Sequence, residues 1–145
     1  MSQMFSQRRA KHALQAIQKF AQESNSAGKS KEFYLMAIKS VPMEIRANGM
    51  GQAMAMALSQ SERGNQADRK AAFKTIYDHF QGWLCDPHEP DTPFDRGDLM
   101  TRLCEAEQEL YLHAQTEALA YAAWLKKFAN AFLATSAPNP AETTP

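Results

Sequence analysis

The chain has 145 residues, 44% of them hydrophobic, enough for one core burying roughly two thirds of the unfolded surface and too few to require a second domain. Its 16 basic and 16 acidic residues cancel, which argues against a generic nucleic-acid binder. No apolar run approaches the ~20 residues of a membrane span, and the start "MSQMFSQRRAKHALQ" lacks the apolar stretch of a secretory signal, so a cytoplasmic protein with no membrane partner is expected.

From Phe5 to Ala21 the residues Ala10, Ala13, Leu14, Ile17, Phe20 and Ala21 recur at steps of three and four, the signature of an amphipathic helix. At about 100° per residue, Arg8, Lys11, His12 and Lys19 fall opposite that stripe, with Arg9 at its margin. "SNSAGKS" breaks the pattern as a loop, and Ser30 is placed to cap the next helix. That helix carries Phe33, Tyr34, Ala37, Ile38 and Val41 up to Pro42, whose ring removes a backbone donor and is expected to kink the helix or divide it.

Asn48-Gly49 follows, and either residue can take the left-handed conformation that ends a helix. A third helix is expected from Met50 to Gln60. In it Gly51, Ala53, Ala55 and Ala57 let neighbouring helices approach, while Met50, Met54, Met56 and Leu58 supply adaptable apolar volume. Two readings of this corner stand: tight packing, or backbone groups near Asn48 to Gly51 left open to a ligand or a neighbouring subunit.

After the loop "QSERGN", with a weak capping signal at Asn65, a fourth helix sets Phe73, Ile76, Tyr77, Phe80, Trp83 and Leu84 on one stripe and ends before Pro87. Because Ile76 and Leu84 share that stripe, it reads as core rather than as a platform for stacked bases. Residues 85–97, with three prolines and several acids around Phe94, form a long surface loop. From Asp98 the spacing of Leu103, Leu110, Ala114, Ala118, Tyr121, Leu125, Phe128 and Phe132 predicts one helix of roughly 35 residues, about 50 Å long. "ATSAPNPAETTP" after Leu133 has the composition of a disordered tail. No strand pattern competes. The expectation is an all-α fold: a single helical bundle of about five to six helices over residues 1–133 with a long C-terminal helix, and a tail at 134–145.

Charge is unevenly spread. Residues 1–60 hold eight bases against three acids, and residues 85–145 hold four against ten. Either solvated helices simply differ, or the basic end meets an anion while the two ends attract each other between neighbouring copies.

Catalytic patterns are absent from the sequence: it has no phosphate-binding glycine loop, no HExxH and no cysteine pair at zinc spacing. Cys85 and Cys104 are too few for a disulfide framework and read as structural thiols. His79, Cys85 and His88 come nearest to a metal set, at a spacing that fits no common site. His113 with Glu105, Glu107 and Glu109 reads as a solvated face, and His12 has no partner that would make it a general base. No enzyme, metal, cofactor or small-molecule substrate is expected.

Four blocks, "RRAKHALQAI", "IKSVPMEIRANGMGQAMAMALSQ", "IYDHFQGWL" and "EALAYAAWLKKFA", resemble the small subunit of the Cmr-type (type III-B) CRISPR RNA-guided effector complex in order and separation, across most of the stretch from Arg8 to Leu133. The resemblance implies a non-catalytic helical subunit of antiviral defence. Its copies would stack in an inner filament with other Cmr subunits and help hold target RNA beside the guide RNA. It matches nothing in the acidic loop or the tail. Under it the RNA contacts expected are Arg8, Arg9, Lys11, Lys19, Lys39 and Arg46, with Lys126 and Lys127 as a second cluster, and Asn48, Gly49, Gly51 and Gln52 are expected at a subunit interface. The alternative is a helical adaptor that binds only proteins.

Overall fold

In the computed structural model, which describes residues 3–23, 29–63 and 66–134, six helices follow in order. They are α1 (Phe5–Glu23), α2 (Ser30–Asn48), α3 (Met50–Arg63), α4 (Ala67–Leu84), α5 (Leu99–Glu105) and α6 (Gln108–Phe132). There is no strand among the described residues. Residues 24–28 of the loop expected at "SNSAGKS", the Asn65 cap and residues 135–145 of the tail expected at 134–145 lie outside them.

Helices α1, α6, α2 and α4 form a four-helix bundle, taken in that order around its axis. Arg9 pairs with Glu117 and His12 with Tyr121, so α1 and α6 run parallel. The C-terminal end of α2 meets the N-terminal turn of α6, and α2 packs along it antiparallel. Ile17, Ile38, Ile45, Ile76, Phe80 and Leu125 fill the centre with no exposure. Trp83 is the aromatic hub, stacked on Phe5 at 5.5 Å and on Tyr121 at 5.9 Å between ring centroids. The aromatic stripe of α4 is therefore core, as its shared aliphatic residues imply.

Several helix boundaries differ from expectation: α3 runs on to Arg63 into the loop expected at "QSERGN", and Lys29 rather than Ser30 is at the cap position of α2, with no side-chain cap bond. Pro42 does not divide α2, which is continuous from Ser30 to Asn48. The single helix expected from Asp98 is two. Ala106 and Glu107 are extended, with ψ of 142° and 162°. No glycine or proline marks this break. One continuous helix would set Glu105 and Glu109 four residues apart on one face, where like charges repel. Broken, it puts Glu107 and Glu109 at the N-terminus of α6, where the helix dipole favours acids. Asp98 caps α5 by accepting from the Thr101 N–H at 3.0 Å. The Tyr77 hydroxyl donates to the same carboxylate at 3.0 Å.

Candidate nucleic-acid interface

The corner between α2 and α3 sits against the first turns of α6. Gly49 ends α2 with φ of 87°, a region that favours glycine. The Met50 N–H donates to Gln115 Oε1 at 2.9 Å and the Gly51 N–H to the Tyr111 hydroxyl at 2.7 Å. These are two of the donors that a helix start leaves without intrahelical partners, and α6 satisfies both. A Cβ on Gly51 would lie 3.0 Å from the Tyr111 oxygen. The reading that backbone amides at this corner are open to a ligand is thus corrected for Met50 and Gly51: the glycines allow close approach of Tyr111. Asn48 and Gln52 stay exposed on either side.

Arg8 and Arg9 are also engaged within the chain. Arg8 makes a two-nitrogen contact with Glu89, its Nε 2.9 Å from one carboxylate oxygen and its NH2 2.9 Å from the other, and reaches Asp91 at 2.5 Å. Hydrogen bonding to Glu89 raises the Arg8 pKa further above its ordinary value. Arg9 holds Glu117 through both Nε and NH2, the latter at 2.6 Å, and lies over the Phe5 ring. Glu117 is the one charged residue buried as a whole among the described residues, and the Trp83 indole N–H also donates to it at 2.9 Å. As phosphate contacts, Arg8 and Arg9 would have to abandon these carboxylates. The charge separation along the sequence is in part closed inside the molecule, with the acidic loop docked on the start of α1.

The remaining cations are exposed: Lys11, Lys19, Lys39, Arg46, Lys126 and Lys127. Helical phase and the register of the paired helices group five of them around α6. Lys39 and Arg46, seven residues and so about 10 Å apart along the axis, lie on the flank of α2 that faces α6, Lys39 within about a turn of the level of Lys126 and Arg46 nearer the level of Glu117. Lys127 lies about 100° further round α6, on the flank facing α1, where Lys11 borders the same seam. From Ala118 to Phe132 α6 has two lysines and no acid. Lys19 stands apart on the α4 side of α1, in a groove with His12, Glu23, Asp78 and His79, and has a loose 4.0 Å pair with Glu23.

The groups with the clearest chemical potential in the sequence are scattered in the fold. His79 Nδ1 shares a 2.7 Å hydrogen bond with the buried Tyr34 hydroxyl, and burial lowers its pKa to about 4. His12 Nδ1 is bonded to Tyr121 at 2.7 Å and is also lowered by burial. The Cys85 thiol is pushed up to about 11 by burial, the wrong direction for a nucleophile. His88 is on the exposed loop. Among the described residues no three His, Cys, Asp or Glu side chains are grouped to hold a metal ion, and no helix is long and apolar enough to cross a membrane.

Sequence reasoning missed Glu117 as the partner of Arg9. The signal was present, because Glu117 sits four residues before Tyr121 on the stripe that includes Ala114 and Ala118, so an acid there had to be buried and paired. It also missed that Trp124, Phe128 and Phe132 form a ladder on α6, with centroid spacings of 5.5 Å and 6.5 Å.

Residues 5–132 match the family described as CRISPR-associated protein (Cas_Cmr5). Among the six solved chains that match is the crystal structure of a CRISPR-associated Cmr5 family protein from Thermus thermophilus. It is 26% identical with a TM-score of 0.63, over 88% of this chain and 98% of that one. No curated protein matches the chain.

Proposed function

From the premise that the chain belongs to the Cas_Cmr5 family of CRISPR-associated proteins, and so is a small subunit associating with other Cmr subunits, we propose that it serves without catalysis, stacking with further copies and holding target RNA by its phosphates. The observation that carries the RNA contact is the grouping of Lys11, Lys39, Lys126 and Lys127 around the acid-free half of α6, with Arg46 at its border. Phosphate contacts position a strand without reading its sequence, which suits a complex where guide-target pairing selects the sequence. Arg8 and Arg9 are left out of this set because their carboxylate partners hold them. Lys19 is a peripheral member.

Stacking is assigned to Asn48 and Gln52, exposed amides at the corner that can both donate and accept. Gly49 and Gly51 set the backbone path behind them. His12 and His79, the two histidines on the α4 side, are each tied to a buried tyrosine among the described residues, which supports a binding role over a hydrolytic one. The test is to purify the tagged chain from its native cells and identify what comes with it. The proposal expects other Cmr subunits together with guide and target RNA. Capture of protein partners without RNA, at low salt and with the complex intact, favours the protein-only adaptor.

A further inference from the structure

We infer that the ladder Trp124, Phe128 and Phe132 is a base-stacking ledge for single-stranded RNA, with Lys127 and Lys11 holding the phosphates beside it. The inference rests on the RNA-binding reading above and adds a contact of a different kind, to the bases. Its first support is ring geometry. Trp124 and Phe128 are stacked with planes 21° apart, and Phe132 continues the row at 38°. The row runs along the seam between α6 and α1 and emerges from it: Trp124 and Phe128 are half-buried against the core, while Phe132 is 44% exposed.

The second support is charge. Lys127 Nζ lies over the Trp124 ring, 5.5 Å from its centroid, so one cation caps the start of the row and the Phe132 end is the one left for a base. Lys11, on the α1 wall of the same seam, is level with about residue 120 by the parallel register, roughly 10 Å along the axis from Lys127. Two cations flanking stacked aromatic faces are the arrangement by which single strands are bound without sequence preference. A protein partner would need an acidic surface over the same row, and the ledge itself presents no acid between Ala118 and Phe132 to orient such a partner. Every base has a π face, so a ledge of this kind tolerates any target sequence.

The experiment uses the assembled effector complex with target RNA uniformly substituted with 5-iodouridine, which photo-crosslinks to stacked aromatic side chains, and maps the crosslinks by mass spectrometry. The expected result is crosslinking to the peptide that spans Trp124 to Phe132. Phe132→Ala is expected to lower its yield about fivefold or more, while Phe132→Tyr keeps it. Crosslinks confined to other parts of this chain would overturn the ledge and leave the phosphate reading standing. No crosslink to this chain, with RNA bound and the subunit present, would overturn the ledge, while the phosphate reading falls only if the salt dependence of affinity is unchanged by loss of its lysines. Release of the subunit from the complex by Phe132→Ala, with RNA crosslinks elsewhere, would assign the row to a protein partner and overturn the ledge.

Discussion

Replacing Arg9 by alanine is the perturbation that most sharply separates a structural cation from an RNA-binding one. In the folded chain Glu117 is 5% exposed and Arg9 is 15% exposed, and the Trp83 N–H is the other donor to the same carboxylate. Removing one partner of a buried pair leaves an uncompensated charge, at a cost of about 3 to 5 kcal/mol. The Trp83 hydrogen bond keeps the loss toward the lower figure, and loss of Arg9 stacked over Phe5 adds to it. Against a total stability of about 5 to 15 kcal/mol, the midpoint of thermal unfolding should fall by about 10 to 20 °C. Urea unfolding of the isolated chain measures the free-energy loss directly. In Arg9→Leu/Glu117→Leu no charge is stranded, so most of the loss should be recovered, and the two changes should be strongly non-additive. A loss under about 1 kcal/mol for Arg9→Ala would refute the reasoning, since Glu117 would then be stable unpaired and Arg9 free for phosphate.

Acid should destabilise the isolated fold. His79 has a folded pKa of about 4 against an ordinary 6.5, so its neutral form is the stabilised one. That contribution is complete above about pH 6.5 and is lost as pH falls toward 4, up to about 3 kcal/mol; His79→Phe should flatten this part of the pH profile of urea unfolding. Asp98→Ala removes the α5 cap and should cost about 1 kcal/mol at pH 7. The Asp98 pKa is lowered chiefly by the Thr101 N–H, so the difference between variant and parent should shrink at low pH, as calorimetry can follow. Gly51→Leu should lower the melting temperature of the lone chain by displacing Tyr111, at about 1 to 3 kcal/mol, and Gly49→Ala should cost about 1 kcal/mol or more through its positive φ. A Gly51→Leu chain that melts like the parent would reopen the corner as a contact surface.

The helices were legible in the sequence because their apolar residues recur at helical spacing, and several begin or end within a few residues of a recognisable signal such as Asn48-Gly49 or Asp98. The break at Ala106 and Glu107 was not, because no glycine or proline lies there and the like charges of Glu105 and Glu109 at a four-residue spacing are a weak signal. The cations were legible as residues but not as a site. Arg8 and Lys11 are equally polar in the sequence, and only the folded loop carrying Glu89 and Asp91 distinguishes them. The grouping of Lys39 with Lys126 requires the antiparallel register of α2 and α6, which periodicity within one helix cannot supply. Gly51 signalled close approach, and its partner Tyr111 was hidden by a separation of 60 residues.

The central claim is that the cations around α6 hold RNA by its phosphates, and the salt dependence of target RNA affinity for the assembled complex tests it most directly. With Lys39→Gln, Lys126→Gln and Lys127→Gln combined, the slope of log affinity against log salt should become shallower by about 2, since each lost contact on a single strand contributes about 0.7. The subunit should stay in the complex. An unchanged slope and affinity, with the altered subunit incorporated at its normal level, would contradict the account.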